Sequence, residues 1–203
     1  VIDSLQIYRS VGKEILGYDF PFSLIKKITG RSDMDICRIV VEELKLPMTV
    51  DEFAQKRREL LLKMLPNSKL IPGAEAIVKK MKSLNLPLAL ATSGDRPGQE
   101  AKAINLQDLY SLFDVIICGD EVQQAKPSPE IFLKAAEMLG NIPPENVIVI
   151  EDSLNGIIAA NKANMVPILL KKGEVHHEDP LTKPFMQIES FDDFDYNLFD
   201  FQP

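Results

Sequence analysis

With 203 residues, 45% of them hydrophobic and 26% charged, the chain is long enough for one sizeable domain or a domain carrying a smaller insert, with apolar surface for a core. No run approaches the roughly 20 apolar residues that cross a bilayer. The chain also does not open on the basic-then-apolar pattern of a secretory signal, so a soluble chain with no membrane partner is expected. Two cysteines without metal-ligand spacing point to a cytoplasmic home, and a monomer is expected. A net charge of −7 and a pI near 5.0, with Lys and Arg dispersed, argue against nucleic acid as partner, because phosphate backbones are bound by clustered basic residues.

In chain order, Val1-Ile2-Asp3 reads as the tail of a segment already under way, so the true N-terminus is expected upstream. From about 4 to 70 the pattern is helical, with Ile36, Ile39, Val40 and Leu44 at helical spacing and no strand. Thr49 followed by Glu52 has the form of a capping box and predicts a helix over 50–65. After Pro72-Gly73 the pattern alternates. It gives a helix through Ile77, Val78 and Met81, a strand over 86–91, a helix over 96–104 and a strand over 115–118. A helix over 129–139, a strand over 147–150, a helix over 154–163 and a strand over 166–170 follow. The acidic, aromatic stretch after Lys171 is expected to form an edge strand and tail. Short continuous apolar strands separated by helices predict an α/β fold, a Rossmann-like parallel sheet with helices on both faces. The helical block reads as a small α-helical cap, which gives segments of 1–4 (end of a core segment), 5–70 (cap) and 71–203 (core). Cys37 and Cys118 sit in apolar contexts and are expected as buried free thiols. His176-His177-Glu178-Asp179 lies in a polar loop without a third ligand and is discounted as a metal site.

In a parallel sheet, ligands bind beyond the carboxyl ends of the strands, and three segments there carry chemistry. Thr92-Ser93-Gly94 offers hydroxyls and backbone N–H groups for phosphate oxygens, or a plain helix N-cap. Lys126, between Ala125 and Pro127-Ser128-Pro129, is either a solvated loop lysine or a cation placed to neutralise a transferred phosphoryl group. Glu151-Asp152-Ser153 brings two adjacent carboxylates that suit Mg²⁺, or supplies a helix cap. Separately each is weak. Their order after consecutive parallel strands makes the conjunction informative.

With these residues the sequence resembles the haloacid dehalogenase-like phosphatases, whose later motifs are a Thr or Ser after one strand, a Lys before a helix and an acidic pair after another. Thr92, Lys126 and Glu151-Asp152 match them. Segments such as Leu46-Pro47-Met48, Ile71-Pro72-Gly73-Ala74-Glu75 and Leu90-Ala91-Thr92-Ser93 make the chain similar to the pseudouridine-5′-phosphatase-like and glycerol-3-phosphate phosphatase-like groups. The stretch before Lys126 is a few residues shorter than in those groups. The family opens on D-x-D-G-T, and Val1-Ile2-Asp3-Ser4 matches only what trails that motif. The resemblance implies that the nucleophile and the acid/base aspartate lie upstream.

It further implies an Mg²⁺-dependent phosphomonoesterase that works through an aspartyl-phosphate on a small phosphorylated metabolite. Thr92 and Ser93 would hold phosphoryl oxygens, Lys126 would neutralise charge, and Asp152 with Glu151 would hold the metal. Thr29-Gly30-Arg31-Ser32 fits either a simple interhelical turn or the family's specificity loop, in which Gly30 and Arg31 would meet substrate. A phosphosugar mutase of the same family and a non-catalytic binding protein are the rival readings. Lys126→Ala is expected to fold normally and lose most turnover.

Overall fold

The structure, a computed structural model, describes residues 4–28, 33–171, 173 and 179–201. It divides into two compact units, 1–69 and 70–203. The first contains α1 (Ser4–Leu16), α2 (Phe22–Ile28), α3 (Asp33–Glu43) and α4 (Val50–Met64), with no strand among its described residues. Apolar residues four apart, Leu24 with Ile28 and Ile36 with Val40, turn one face of each helix inward, where they bury with Val11, Phe20, Cys37 and Phe53. The start of α4 is fixed by the predicted capping box. The Thr49 hydroxyl accepts from the Glu52 N–H at 3.2 Å, and the Glu52 carboxylate accepts from the Thr49 N–H at 2.8 Å.

The second unit alternates. Its elements are α5 (Ala74–Ser83), β1 (Ala89–Ala91), α6 (Arg96–Ala103), α7 (Gln107–Tyr110), β2 (Val115–Ile117), α8 (Glu130–Met138), β3 (Ile148–Glu151), α9 (Leu154–Lys162), β4 (Val166–Leu170) and β5 (Met186–Ile188). All strand pairs are parallel. β1 pairs β2 with Ala89 opposite Val115, β3 pairs β4 with Ile148 opposite Val166, and β4 pairs β5 with Ile168 opposite Met186. The strands therefore form two ladders, β1-β2 and β3-β4-β5, rather than one continuous sheet.

A shared core nonetheless joins the ladders. On one face Val115 and Ile117 of β2 and Val149 of β3 pack with Ile131 and Phe132 of α8 and with Ala159 and Ala160 of α9. On the other face Ile148 and Ile150 meet Ile77 and Met81 of α5, together with Ile168, Ile188 and Phe194. The twofold alternation of β3 thus divides its side chains between two helical layers.

β1 is shorter than the apolar run that predicts it. Pro87 has no N–H to give a ladder, and the Leu88 N–H is taken by the Asp114 carboxylate at 2.8 Å, which Lys82 Nζ also holds at 2.7 Å. Beyond β5, Phe194 stacks on Phe199 with ring centroids 5.5 Å apart and meets Tyr196 edge-on at 4.9 Å. In α6 the buried Gln99 amide donates to the Tyr110 hydroxyl at 2.6 Å. Cys37 and Cys118 are buried free thiols, and burial pushes the Cys118 thiol above its ordinary value. Among the described residues no helix is long and apolar enough to cross a membrane.

Candidate active site

The loop after β1 carries Thr92 and Ser93. Asp95, not these hydroxyls, caps α6: its carboxylate accepts from the Gly98 N–H at 3.0 Å, and Pro97 sits in the first turn, where its missing N–H costs nothing. Thr92 Oγ1 accepts from the Gly94 N–H at 3.1 Å, which leaves the hydroxyl proton uncommitted, and Ser93 is exposed.

This loop is locked to the one after β2. The Thr92 N–H donates to the Ile117 carbonyl at 3.0 Å, and the Gly119 N–H donates to the Gly94 carbonyl at 2.8 Å. Any Cβ at position 119 would strike the Ser93 backbone, coming within 2.9 Å of its carbonyl carbon, so only glycine fits. A charged latch reinforces the contact. Arg96 Nη2 donates to the Glu121 carboxylate at 2.7 Å and to the Ile116 carbonyl at 2.8 Å, and the Arg96 N–H donates to Asp120 Oδ1 at 3.0 Å. Glu121 also accepts from the Cys118 N–H at 2.7 Å. The Arg96 contact, then the Cys118 N–H, hold the Glu121 carboxyl below the usual carboxylate range.

Lys126 follows that latch, ahead of a cis peptide to Pro127 and the start of α8. Its side chain is only 7% exposed. Nζ donates to the Ala91 carbonyl at 3.3 Å, pairs with the Glu151 carboxylate, and lies 4.5 Å from the Phe132 ring centroid. Lys126 therefore ties the carboxyl end of β1, beside Thr92, to that of β3. Two of its three ammonium donors are committed, and the third has no acceptor among the described residues.

The two adjacent acids differ. Glu151 is 10% exposed and accepts from Lys126 through one oxygen and from the Ser153 hydroxyl through the other, at 3.1 Å. Asp152 is exposed and makes no hydrogen bond or ion pair among the described residues. Ser153, not Asp152, caps α9 by accepting from the Gly156 N–H at 3.1 Å. Gly30 and Arg31, and the histidine pair at 176–177, lie outside the described residues.

The structure thus brings Lys126 and Glu151 together with the Ala91 carbonyl at the strand ends, with Thr92, Ser93 and Asp152 following in the chain. Sequence reasoning missed the Ser153 contact to Glu151 and the Arg96–Glu121 latch. Gly156 was the one available signal for the first. For the second, an acidic Asp120-Glu121 pair after β2 was visible, but its partner lies 25 residues away.

This is a parallel α/β unit with a buried lysine, a neighbouring hydroxyl and two acids of different exposure at its strand ends. The chain belongs to the haloacid dehalogenase-like hydrolase family, which matches residues 18–164. It is 33% identical over 185 residues to a probable pseudouridine-5′-phosphatase of Drosophila melanogaster, covering 88% of this chain and 80% of that one. It is also 30% identical over 190 residues to (DL)-glycerol-3-phosphatase 2 of Arabidopsis thaliana, covering 88% and 79%. Among solved structures, a Thermotoga maritima protein provisionally named a β-phosphoglucomutase superposes with a TM-score of 0.80 at 27% identity, covering 94% of this chain and 93% of that one.

Proposed function

We propose that the protein is a magnesium-dependent phosphomonoesterase acting on a small phosphorylated metabolite, with pseudouridine 5′-phosphate and glycerol 3-phosphate as first candidates. The observation that carries this reading is Lys126, a buried ammonium held at two strand ends beside Thr92 with one donor left over. A lysine fixed in this way stabilises negative charge without reorganising when the charge develops. The relatives described above, two of them named as phosphatases, agree with it.

In this reading Thr92 and Ser93 bind phosphoryl oxygens and Lys126 neutralises charge on them. The residues present fit a magnesium ion: Asp152, just after β3, is an exposed carboxylate without a partner among the described residues, and Mg²⁺ commonly takes one or two carboxylates and retains water. Glu151, engaged on both oxygens, is assigned chiefly to hold the lysine, with Asp152 as the principal metal ligand. Bound there, the ion would supply a positive charge that screens the phosphoryl oxygens.

The reaction requires two further carboxylates, and in proteins that carry D-x-D-G-T these are its aspartates. One aspartate oxygen forms a bond to phosphorus as the ester oxygen leaves, the second aspartate protonates that oxygen, and water then cleaves the aspartyl-phosphate to free phosphate. A strand bearing that motif would have to bring both aspartates to the strand ends that Lys126 bridges. Residues 5–70 are assigned as the cap that gives substrate selectivity, and the enzyme is assigned as a cytoplasmic monomer. The likeness to a protein named as a mutase supports a second reading, in which the phosphoryl group returns to a sugar.

The test is release of inorganic phosphate from a panel of monoesters by protein carrying the D-x-D-G-T segment. Asp152→Ala is expected to lose magnesium-dependent turnover. Full activity in that variant, or in chelator, would end the metal assignment, and phosphate transfer between sugars without release would favour the mutase.

A further inference from the structure

We propose that Ser153 and Gly156 form a clamp that sets the rotamer of Glu151 and, through it, the position of the Lys126 ammonium, so that Ser153 is a positioning residue for the lysine. The Ser153 hydroxyl does two things at once. It accepts from the Gly156 N–H at 3.1 Å, which caps α9, and it donates to the Glu151 oxygen that Lys126 does not use, at 3.1 Å. A hydroxyl has one proton to give and lone pairs to receive, so both bonds are satisfied by a single rotor.

Gly156 supplies the second half. A Cβ there would fall on the Glu151 carboxylate carbon, closer than real Cβ atoms approach a neighbour, so the carboxylate occupies the space a side chain at 156 would need. Glu151 is thus enclosed by the first turn of α9 and presents its remaining oxygen toward Lys126. The lysine reaches across from a loop 25 residues earlier and is fixed at its far end by this carboxylate and by the Ala91 carbonyl.

The inference rests on the phosphatase reading only for its catalytic consequence, and the geometric claim can be tested without turnover. An amine-reactive ester labels lysines in metal-free buffer, and peptide mass spectrometry reads Lys126 against exposed Lys79. Ser153→Ala is expected to raise labelling of Lys126 at least about threefold, and to lower kcat of the segment-complete enzyme about tenfold, the scale of one hydrogen bond to a charged group. Because the alanine also removes the α9 cap, Ser153→Gly separates the two roles. Glycine is tolerated at a helix N-cap almost as well as serine, but it adds no charge and cannot donate to Glu151, so Lys126 is again released. Ser153→Thr keeps both bonds and restores the low labelling.

Labelling within about twofold of wild type in both the alanine and glycine variants, a change smaller than one such hydrogen bond gives, overturns the clamp. Release in the alanine variant alone assigns the effect to the lost cap and likewise overturns it. If the wild-type enzyme frees phosphate from no monoester, the phosphatase reading falls, while the labelling still decides the clamp.

Discussion

Lys126 and Glu151 are each nine-tenths or more buried and satisfy one another, which changes what a single substitution does. Sequence alone treats Lys126→Ala as a change in charge at a strand end that leaves folding intact. In the structure it strands the Glu151 carboxylate inside, and removing one partner of a buried pair costs about 3–5 kcal/mol because the other charge is left uncompensated. Lys126→Ala is therefore expected to lower the midpoint of denaturant unfolding clearly, and Lys126→Ala/Glu151→Gln to recover part of it. Equal stability of the single variant and wild type would show the pair to be solvated. Turnover should fall about 10²- to 10³-fold in the single variant, the usual loss for one preorganised charge contact, and adding Glu151→Gln should not restore it.

The latch between the loops after β1 and β2 makes the phosphate-side loop dependent on a surface ion pair. Glu121 has its folded pKa depressed, so its contribution to stability is present above the ordinary carboxylate range and is lost as pH falls through the depressed value. Arg96 stays charged throughout this window, its own pKa being raised first by the bond to Glu121. Glu121→Gln should lower Tm at neutral pH, by the equivalent of about 1 kcal/mol or less for a pair with both side chains 34% exposed. The gap to wild type should close on acidification. A gap that stays constant down to strongly acidic pH would place the stabilisation elsewhere.

At this scale most elements could be read in the sequence, because capping box, helical spacing and apolar runs are local signals. α4 and β4 fall where expected. What was not legible depended on geometry between residues. Thr92, Ser93 and Asp95 are all good cap types, and only the approach of the Gly98 N–H selects Asp95. Glu151 and Asp152 are chemically alike, and the pleat of β3 together with the bare Gly156 sends one inward and leaves the other in solvent.

For the whole molecule, the two units hold separate cores, with Phe53 and Ile28 completely enclosed in the first and Ile168 and Leu169 in the second. Phe53→Ala should cost the first unit about 3–5 kcal/mol. Hydrogen exchange should then show lost protection in α1–α4 while β4 and α8 keep theirs. Uniform loss across both units would mean that they unfold as one. The division into two ladders had no local signature, since strand order is decided by pairing and not by the strands' own composition.

The enclosed Gln99–Tyr110 bond has an optical consequence. The chain has no tryptophan and four tyrosines, Tyr8 and Tyr18 in the first unit and Tyr110 and Tyr196 in the second, so each unit carries its own phenol chromophores. Burial raises the Tyr110 phenol above its ordinary value, while Tyr18 is 51% exposed. Burial raises Tyr196 as well, so on alkaline titration the phenolate absorbance of both tyrosines of the second unit should appear above the ordinary tyrosine range. Loss of that delay in ultraviolet difference spectra would then report unfolding of the α/β unit in the unlabelled protein.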